Sequence, residues 1–278
     1  MPETTLSTDG ARSGPRPGRI PVSCFIIARN EADRIGAVIA SVRDVVDEVL
    51  VVDSGSTDDT REIAAALGAR VVVNAWTGYG PQKRFAEDEC RNDWLLNLDA
   101  DEVPSEGLLR EIAALFAGGE PAEKFYSFKI ALVYPGATRP RLWADGPVPV
   151  RLYDRRAGRY SESPVHDRVV LPGRAKVVRL EHEVDHFSYR SFGALVEKLN
   201  GYSDLQAVTL QRSSRALLLV RLPVEMPFSF FKYYFVRRHI TGGWKGFVFA
   251  VINAFYRFLR LAKLIEAAEP LPNSIASR

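Results

Sequence analysis

Short apolar runs alternate along the first half of the chain with stretches whose apolar residues recur every three or four positions. Val22 to Ala28, Glu48 to Val52, Ala69 to Val73 and Trp94 to Leu98 are too short for ordinary helices and predict buried strands. Between the first two, Ile35, Val38, Ile39 and Val42 form one helical stripe, which predicts a helix from about Glu31 to Arg43. Ile63, Ala66 and Leu67 mark a second helix, with Thr57 or Asp58 placed to cap it and Gly68 to stop it. A third helix is expected from about Gln82 to Cys90. A fourth begins at the cap Ser105 and turns Leu108, Leu109, Ile112 and Phe116 inward. The order β-α-β-α-β-α-β predicts an α/β fold, a mostly parallel sheet flanked by helices.

Further along, Phe125 to Tyr134 and Val150 to Tyr153 read as strands on either side of an irregular Pro/Gly-rich stretch, 135–149. Val177 to Leu180 also looks like strand, and a helix follows from Ser191 to about Leu210.

In a parallel sheet, ligands bind outside the carboxyl ends of the strands. Three of those ends carry polar clusters: Arg29-Asn30-Glu31, Asp53-Ser54-Gly55-Ser56 and Asp99-Ala100-Asp101. Asp99 and Asp101 leave an extended backbone on the same side. They repel each other unless a cation sits between them or one is protonated. An Asp-x-Asp by itself is usually a solvated acidic turn. Beside two further polar strand ends it reads as a hard-oxygen site for Mg2+ or Mn2+. No G-x-G-x-x-G follows the first strand and no G-x-x-x-x-G-K-[ST] occurs, so a nucleotide here is not cradled on a glycine loop. His182 and His186 would form a zinc pair on a helix. The strand-like residues before them argue against that geometry.

Ala28-Arg29-Asn30-Glu31, Asp53-Ser54-Gly55-Ser56-Thr57-Asp58-Asp59-Thr60, Gly80-Pro81-Gln82-Lys83 and Leu98-Asp99-Ala100-Asp101-Glu102, in this order, resemble the inverting family-2 glycosyltransferases of the GT-A fold. The resemblance covers about residues 20 to 118. The second and third motifs look most like the lipopolysaccharide-core glucosyltransferases, and that similarity continues past residue 160. The resemblance implies a nucleotide-diphosphate sugar donor, with Ala28 and Glu31 lining the nucleoside pocket. Asp53 would accept from a uracil imide, Lys83 would lie near the nucleotide, and Asp99 would contact ribose or sugar. Asp101 would ligate the metal. By the same resemblance His186 is brought to the metal or diphosphate, and the base is an acid in this region, Asp167 of Val165-His166-Asp167. The subgroup tends to carry Glu where this chain has Asp167, and Glu162 is the alternative. Read without the resemblance, Asp53 is equally a turn-forming residue, Lys83 an exposed helix lysine and Asp167 a surface acid paired with Arg168.

Charge changes the picture only at the C-terminal end. The net charge of +3 is too small to argue for nucleic acid. From Met226 to Ile265, however, there is no Asp or Glu, while Lys232, Arg237, Arg238, Lys245, Arg257, Arg260 and Lys263 are interleaved with aromatic residues. The longest uncharged run, Gly246 to Tyr256, is shorter than the roughly 20 residues that cross a bilayer. The pattern predicts amphipathic helices lying on a membrane surface, or packed on the catalytic domain or another subunit. Cys24 and Cys90 suit a reducing cytosol. The resulting organisation is a disordered leader over 1–19, a GT-A domain over 20–215 and a membrane-associating tail over 216–278. The expected protein is peripheral on the cytoplasmic face of a membrane, taking a lipid-linked or lipopolysaccharide acceptor. A nucleotidyltransferase and a non-catalytic sugar-nucleotide-binding scaffold are the alternatives.

Overall fold

The computed structural model describes residues 18–165, 167–209 and 215–267. Nearly all of the expected leader, His166, the expected helix end at Leu210 and the last eleven positions of the tail, 268–278, lie outside the described residues. The chain forms two compact units, Met1–Ile130 with Pro147–His186, and Ala131–Gly146 with Phe187–Arg278.

The first unit opens with β1 (Ile20–Ala28), α1 (Ile35–Val42), β2 (Val46–Asp53), α2 (Thr60–Ala66), β3 (Arg70–Val73), α3 (Tyr79–Glu89) and β4 (Trp94–Asp99). It continues with β5 (Glu102–Pro104), α4 (Glu106–Leu115), β6 (Phe125–Leu132), β7 (Val150–Asp154), β8 (Arg159–Tyr160), β9 (Val169–Val170) and β10 (Val178–His186). Eight strands make one sheet in the order β3-β2-β1-β4-β7-β6-β10-β5. The expected parallel strands β3, β2, β1 and β4 are neighbours, and antiparallel pairing begins at β7. Because side chains alternate across a strand, β1 feeds two cores. Val22, Cys24, Ile26 and Ala28 join α1 and α4 on one face; Phe25 joins Leu50, Leu95 and Tyr153 on the other.

Register brings the polar strand ends level. Ala28 is opposite Asp53 and Ile27 is opposite Asp99. The helix after β1 starts at Ile35 rather than near Glu31, because the intervening backbone is bonded elsewhere. Asn30 has a left-handed φ of 56°. The amide of Glu31 donates to Thr60 Oγ1 at 2.8 Å and that of Ala32 to Asp58 Oδ2 at 3.2 Å. Conversely α3 begins early, at Tyr79. Its first amides find partners across the chain, Tyr79 N donating to Pro164 O at 3.0 Å and Gly80 N to Ser163 O at 3.1 Å. Pro81 in that first turn has no amide to satisfy. A side chain on Gly80 would collide with the carbonyls of Ser161 and Ser163.

The second unit contains α5 (Phe192–Thr209), α6 (Arg215–Phe231) and α7 (Gly243–Ala267), with a π-helical turn at Lys232–Val236 and a 3-10 turn at His239–Gly242. Tyr134, Leu195, Leu199 and Phe249 form one of its cores; Leu218, Leu261, Leu264 and Ile265 form the other. His239 is buried against Phe249, and its Nδ1 lies 2.6 Å from the Tyr134 hydroxyl. Burial, with the charge of Arg141 nearby, pushes its pKa down to about 4. No described helix is long and apolar enough to cross a membrane.

Candidate active site

The site grows from the end of β4. Asp99 is the last residue of that strand, and the chain reverses through Ala100-Asp101 into the three-residue strand β5. Glu102 closes the turn, its Oε2 accepting from the Asp99 amide at 2.9 Å. The two aspartates then part company, and each acquires its own cations.

Asp99 accepts from Lys83 Nζ at 3.2 Å through Oδ1 and from Arg151 Nη2 at 3.2 Å through Oδ2. The same Arg151 nitrogen is 3.2 Å from Glu102 Oε1, and Arg151 Nη1 donates to Asn97 Oδ1. Tyr160 also donates to that Asn97 oxygen, at 2.7 Å. Burial would raise the Asp99 pKa, but Arg151 and then Lys83 hold it far below the usual carboxylate range. Glu102, deeper, is pushed up by burial despite Arg151.

Asp101 is 3.3 Å from Arg34 Nη1 through Oδ2 and 3.4 Å from His186 Nε2 through Oδ1. Burial opposes its ionisation, yet His186 and Arg34 keep its pKa lowered. Burial likewise opposes protonation of His186, and the bond to Asp101 reverses that and raises it. Arg34 is shared with Glu31, whose Oε2 accepts from Arg34 Nε at 2.8 Å. His186 arrives through the sheet. β10 pairs antiparallel with β5, and His186 is opposite Glu102. His182, four residues back, is held instead by Glu111 at 3.1 Å.

Lys83 is 1% exposed in its side chain and bridges two carboxylates, Asp99 at 3.2 Å and Asp167 at 2.7 Å. Its ammonium also lies 5.0 Å from the centre of the Tyr160 ring. Burial would lower its pKa; Asp99, with Tyr160 and Asp167, more than offsets this and raises it. A cavity of about 280 Å³ opens here, with Tyr79, Lys83, Asp99, Arg151, Tyr160 and Asp167 in its wall. Glu162 is exposed and is not part of that wall.

Asp53 sits at the end of β2 but faces its own turn. Oδ1 accepts from the amides of Gly55 at 3.0 Å and Ser56 at 2.9 Å, and Oδ2 accepts from the Ser56 hydroxyl. With no exposed surface it holds the turn's shape here. Ala28 is likewise buried beside it.

Residues 23–126 match the family described as Glycosyl transferase family 2. Over 92% of its length the chain is 43% identical to an uncharacterized glycosyltransferase of Rickettsia felis, 93% of which is covered. The chain belongs to glycosyltransferase family 2. This glycosyltransferase is also 31% identical to LpsC, a lipopolysaccharide core biosynthesis glycosyltransferase of Rhizobium meliloti, over 92% of this chain and 96% of that one. A solved structure similar to part of it is glucosyl-3-phosphoglycerate synthase of Mycobacterium tuberculosis, in complex with Mn2+, UDP and glucosyl-3-phosphoglycerate. That pair is 29% identical with a TM-score of 0.33, covering 41% of this chain and 44% of the other.

Of the residues that sequence reasoning singled out, the glycosyltransferase brings Lys83, Asp99 and Asp167 to one cavity and Asp101 and His186 to one contact. Reading the sequence missed Arg151, Arg34, Asn97 and Tyr160, and gave Glu102 a place in the motif but no role. Arg151 carries the clearest overlooked signal, a lone cation one residue into the apolar strand Val150-Arg151-Leu152-Tyr153. A buried cation in a strand calls for a carboxylate partner.

Proposed function

We propose that this glycosyltransferase moves a hexose from a nucleotide-diphosphate sugar, with UDP as the nucleotide, to a lipid-linked or lipopolysaccharide acceptor, with inversion at the anomeric carbon. The observation that carries the reading is the bridge from Lys83 to Asp99 and Asp167 in the wall of a cavity at the strand ends. One carboxylate is thereby fixed on the sheet and the other on the segment facing it.

Asp167 is the base. The acceptor hydroxyl attacks the anomeric carbon as the bond from that carbon to the diphosphate oxygen breaks, and the hydroxyl proton passes to the Asp167 carboxylate. One attack from one side inverts the configuration. Lys83 fixes the position of Asp167 through Oδ2. Asp99, locked by Arg151 and Lys83, presents its remaining acceptor capacity to sugar or ribose hydroxyls. Asp53 shapes the turn beside the nucleoside, and Ala28 and Glu31 line that pocket.

A divalent metal fits the second group. Asp101 Oδ1 and His186 Nε2 lie 3.4 Å apart, close to the ~3 Å that separates adjacent octahedral ligands at about 2.1 Å. Among the described residues no cluster of three or more His, Cys, Asp or Glu could hold an ion alone. Asp101 and His186 would be its protein ligands, a small set of the kind usual for Mg2+. When bound, the ion supplies Lewis-acid stabilisation of the departing diphosphate. The 31% identity with LpsC supports the lipopolysaccharide acceptor. The basic, aromatic second unit supports action at the cytoplasmic face of a membrane.

The test is a thermal-stabilisation screen of nucleotide sugars with Mn2+, followed by transfer assays with the best donor and a lipid acceptor. Stabilisation by a UDP-hexose and transfer abolished by chelation are expected. Pyrophosphate release from a nucleoside triphosphate would make the protein a nucleotidyltransferase. Binding with no turnover over a broad acceptor panel would leave a sugar-nucleotide scaffold.

A further inference from the structure

Three non-glycine residues among those described have left-handed φ values: Asn30, Trp143 and Arg238. Asn30 belongs to the site above. The other two adjoin each other in the second unit. The turn Arg141–Ala144, closed by Ala144 N donating to Arg141 O at 3.2 Å, carries Trp143 with φ 52°. That is the turn position where a positive φ calls for Gly or Asn. Arg238, φ 59°, begins the 3-10 turn His239–Gly242. The two turns are fastened together. Thr241 Oγ1 donates to Leu142 O at 2.8 Å, and Arg141 Nη2 donates to Arg237 O at 2.6 Å and to the carboxylate of Asp145. Arg141 is itself buried, so the anchor lies under the turn and the apolar tip stands on top.

That tip is conspicuously apolar. Leu142 is 71% exposed, Trp143 69%, Val236 65% and Ile240 47%. Arg237 and Arg238 are exposed among them. Asp145, the acid beside this turn, is tied to Arg141 and lies 4.0 Å from Arg237. An exposed apolar cluster of this kind marks an interaction surface. Trp at its apex and arginines around its rim match the headgroup layer of an anionic bilayer, where Trp rings settle and cations are attracted.

We infer that Leu142 and Trp143, with Val236 and Ile240, form a wedge that inserts into an anionic lipid surface, with Arg237 and Arg238 at headgroup level. This rests on the membrane reading above and sharpens it. The inserting turn is outside the basic tail, some seventy residues before its start, and its strained backbone holds two apolar side chains in solvent.

The experiment is sedimentation of the full chain with vesicles of phosphatidylglycerol and phosphatidylcholine, against phosphatidylcholine alone, without donor or acceptor. Trp143→Gly suits the left-handed turn, so its thermal midpoint should not fall. Its binding to the anionic vesicles should weaken by about tenfold, the scale of one lost apolar side chain. Leu142→Ser should act in the same direction. Arg237→Gln with Arg238→Asn should erase the preference for phosphatidylglycerol. Trp76→Ser, an exposed tryptophan of the first unit, should leave binding unchanged. Undiminished anionic binding of Trp143→Gly would overturn the wedge and leave the membrane reading standing on the tail. Failure of the parent chain to bind either vesicle would overturn both. Self-association that Trp143→Gly abolishes, without vesicle binding, would assign the surface to a second copy of the chain.

Discussion

Two places, the strand ends of the first unit and the apolar turns of the second, treat charge in opposite ways. In the first, Lys83, Asp99, Arg151 and Glu102 are drawn into one network at the strand ends, each carboxylate facing at least one cation. In the second, Arg237, Arg238 and Lys232 stand at the surface among Leu142, Trp143, Phe231 and Val236. Buried charges that are mutually fixed cannot relax, so they offer a substrate a preorganised field. Exposed cations beside exposed apolar groups offer nothing rigid. They suit a partner that is itself fluid, broad and negatively charged. If the difference is real, damage to the first unit should appear as lost folding and chemistry, and damage to the second as lost attachment.

The largest expected effect is at Arg151. Arg151→Met leaves Glu102 buried without its cation and removes a partner from Asp99 and Asn97. Breaking a buried pair from one side costs about 3–5 kcal/mol. Urea unfolding should show a loss of that size, and adding Glu102→Gln should restore part of it. A loss under about 1 kcal/mol would mean that the network is solvated and that the contrast between the units is false.

Asp101 tests the chemistry apart from the fold. Its side chain is 16% exposed, Arg34 keeps Glu31 as a partner when it is removed, and His186 is the more exposed of the two partners. Asp101→Ala should therefore fold with a nearly unchanged midpoint while transfer drops by about a hundredfold or more, the scale of a lost charge stabiliser at a leaving group. Chelation of the parent should produce a similar drop. Full activity after both treatments would remove the metal from the mechanism.

What the sequence made legible follows from the range over which each feature is encoded. The strand ends were visible because apolar runs stop abruptly at Asp53 and Asp99, and the α/β order because each period is local. The partners that neutralise Asp99 and Asp101 were not visible. Arg151 reaches Asp99 across 52 positions, and His186 is brought opposite Glu102 by pairing with β5, a strand of three residues and too short to show any period. Asp101 was expected to ligate a metal and Asp99 to contact the donor's ribose or sugar. Each also has protein cations of its own, Lys83 and Arg151 on Asp99 and Arg34 and His186 on Asp101, which no count of acids could reveal. The start of α1 was misplaced for the same reason, since the amides of Glu31 and Ala32 are bonded to residues of the next loop. Trp143 left no trace in the sequence pattern. Its exposure and its left-handed φ both belong to the folded turn.

A third effect, of similar size to the first but conditional on pH, belongs to the second unit. His239 is 3% exposed with a pKa pushed down to about 4, against about 6.5 when unfolded. Between those values the unfolded chain binds more protons than the folded one, so stability rises with pH. The contribution is complete above about 6.5 and is lost as pH falls toward 4, by roughly 3 kcal/mol. Urea midpoints measured across that range should fall less steeply for His239→Gln, which keeps a polar partner for the Tyr134 hydroxyl. Equal slopes would mean that His239 titrates normally and that the second unit is looser around Phe249 than its packing implies.

The smallest effect is the most telling for the comparison. A bulky residue held at a positive φ costs stability that glycine would not. Trp143→Gly should therefore raise stability, by about 0.5–1 kcal/mol, since little packing is lost from a side chain so exposed. In the first unit Arg151→Met should cost stability and Asp101→Ala should cost rate. Here a substitution that improves the fold should impair attachment to lipid, because the strain is what displays the ring. A gain in stability together with weaker vesicle binding would identify the turn as a place where stability was given up for an interface. A loss of stability would mean that Trp143 packs against its neighbours after all, and the turn would then be an ordinary part of the second unit's framework.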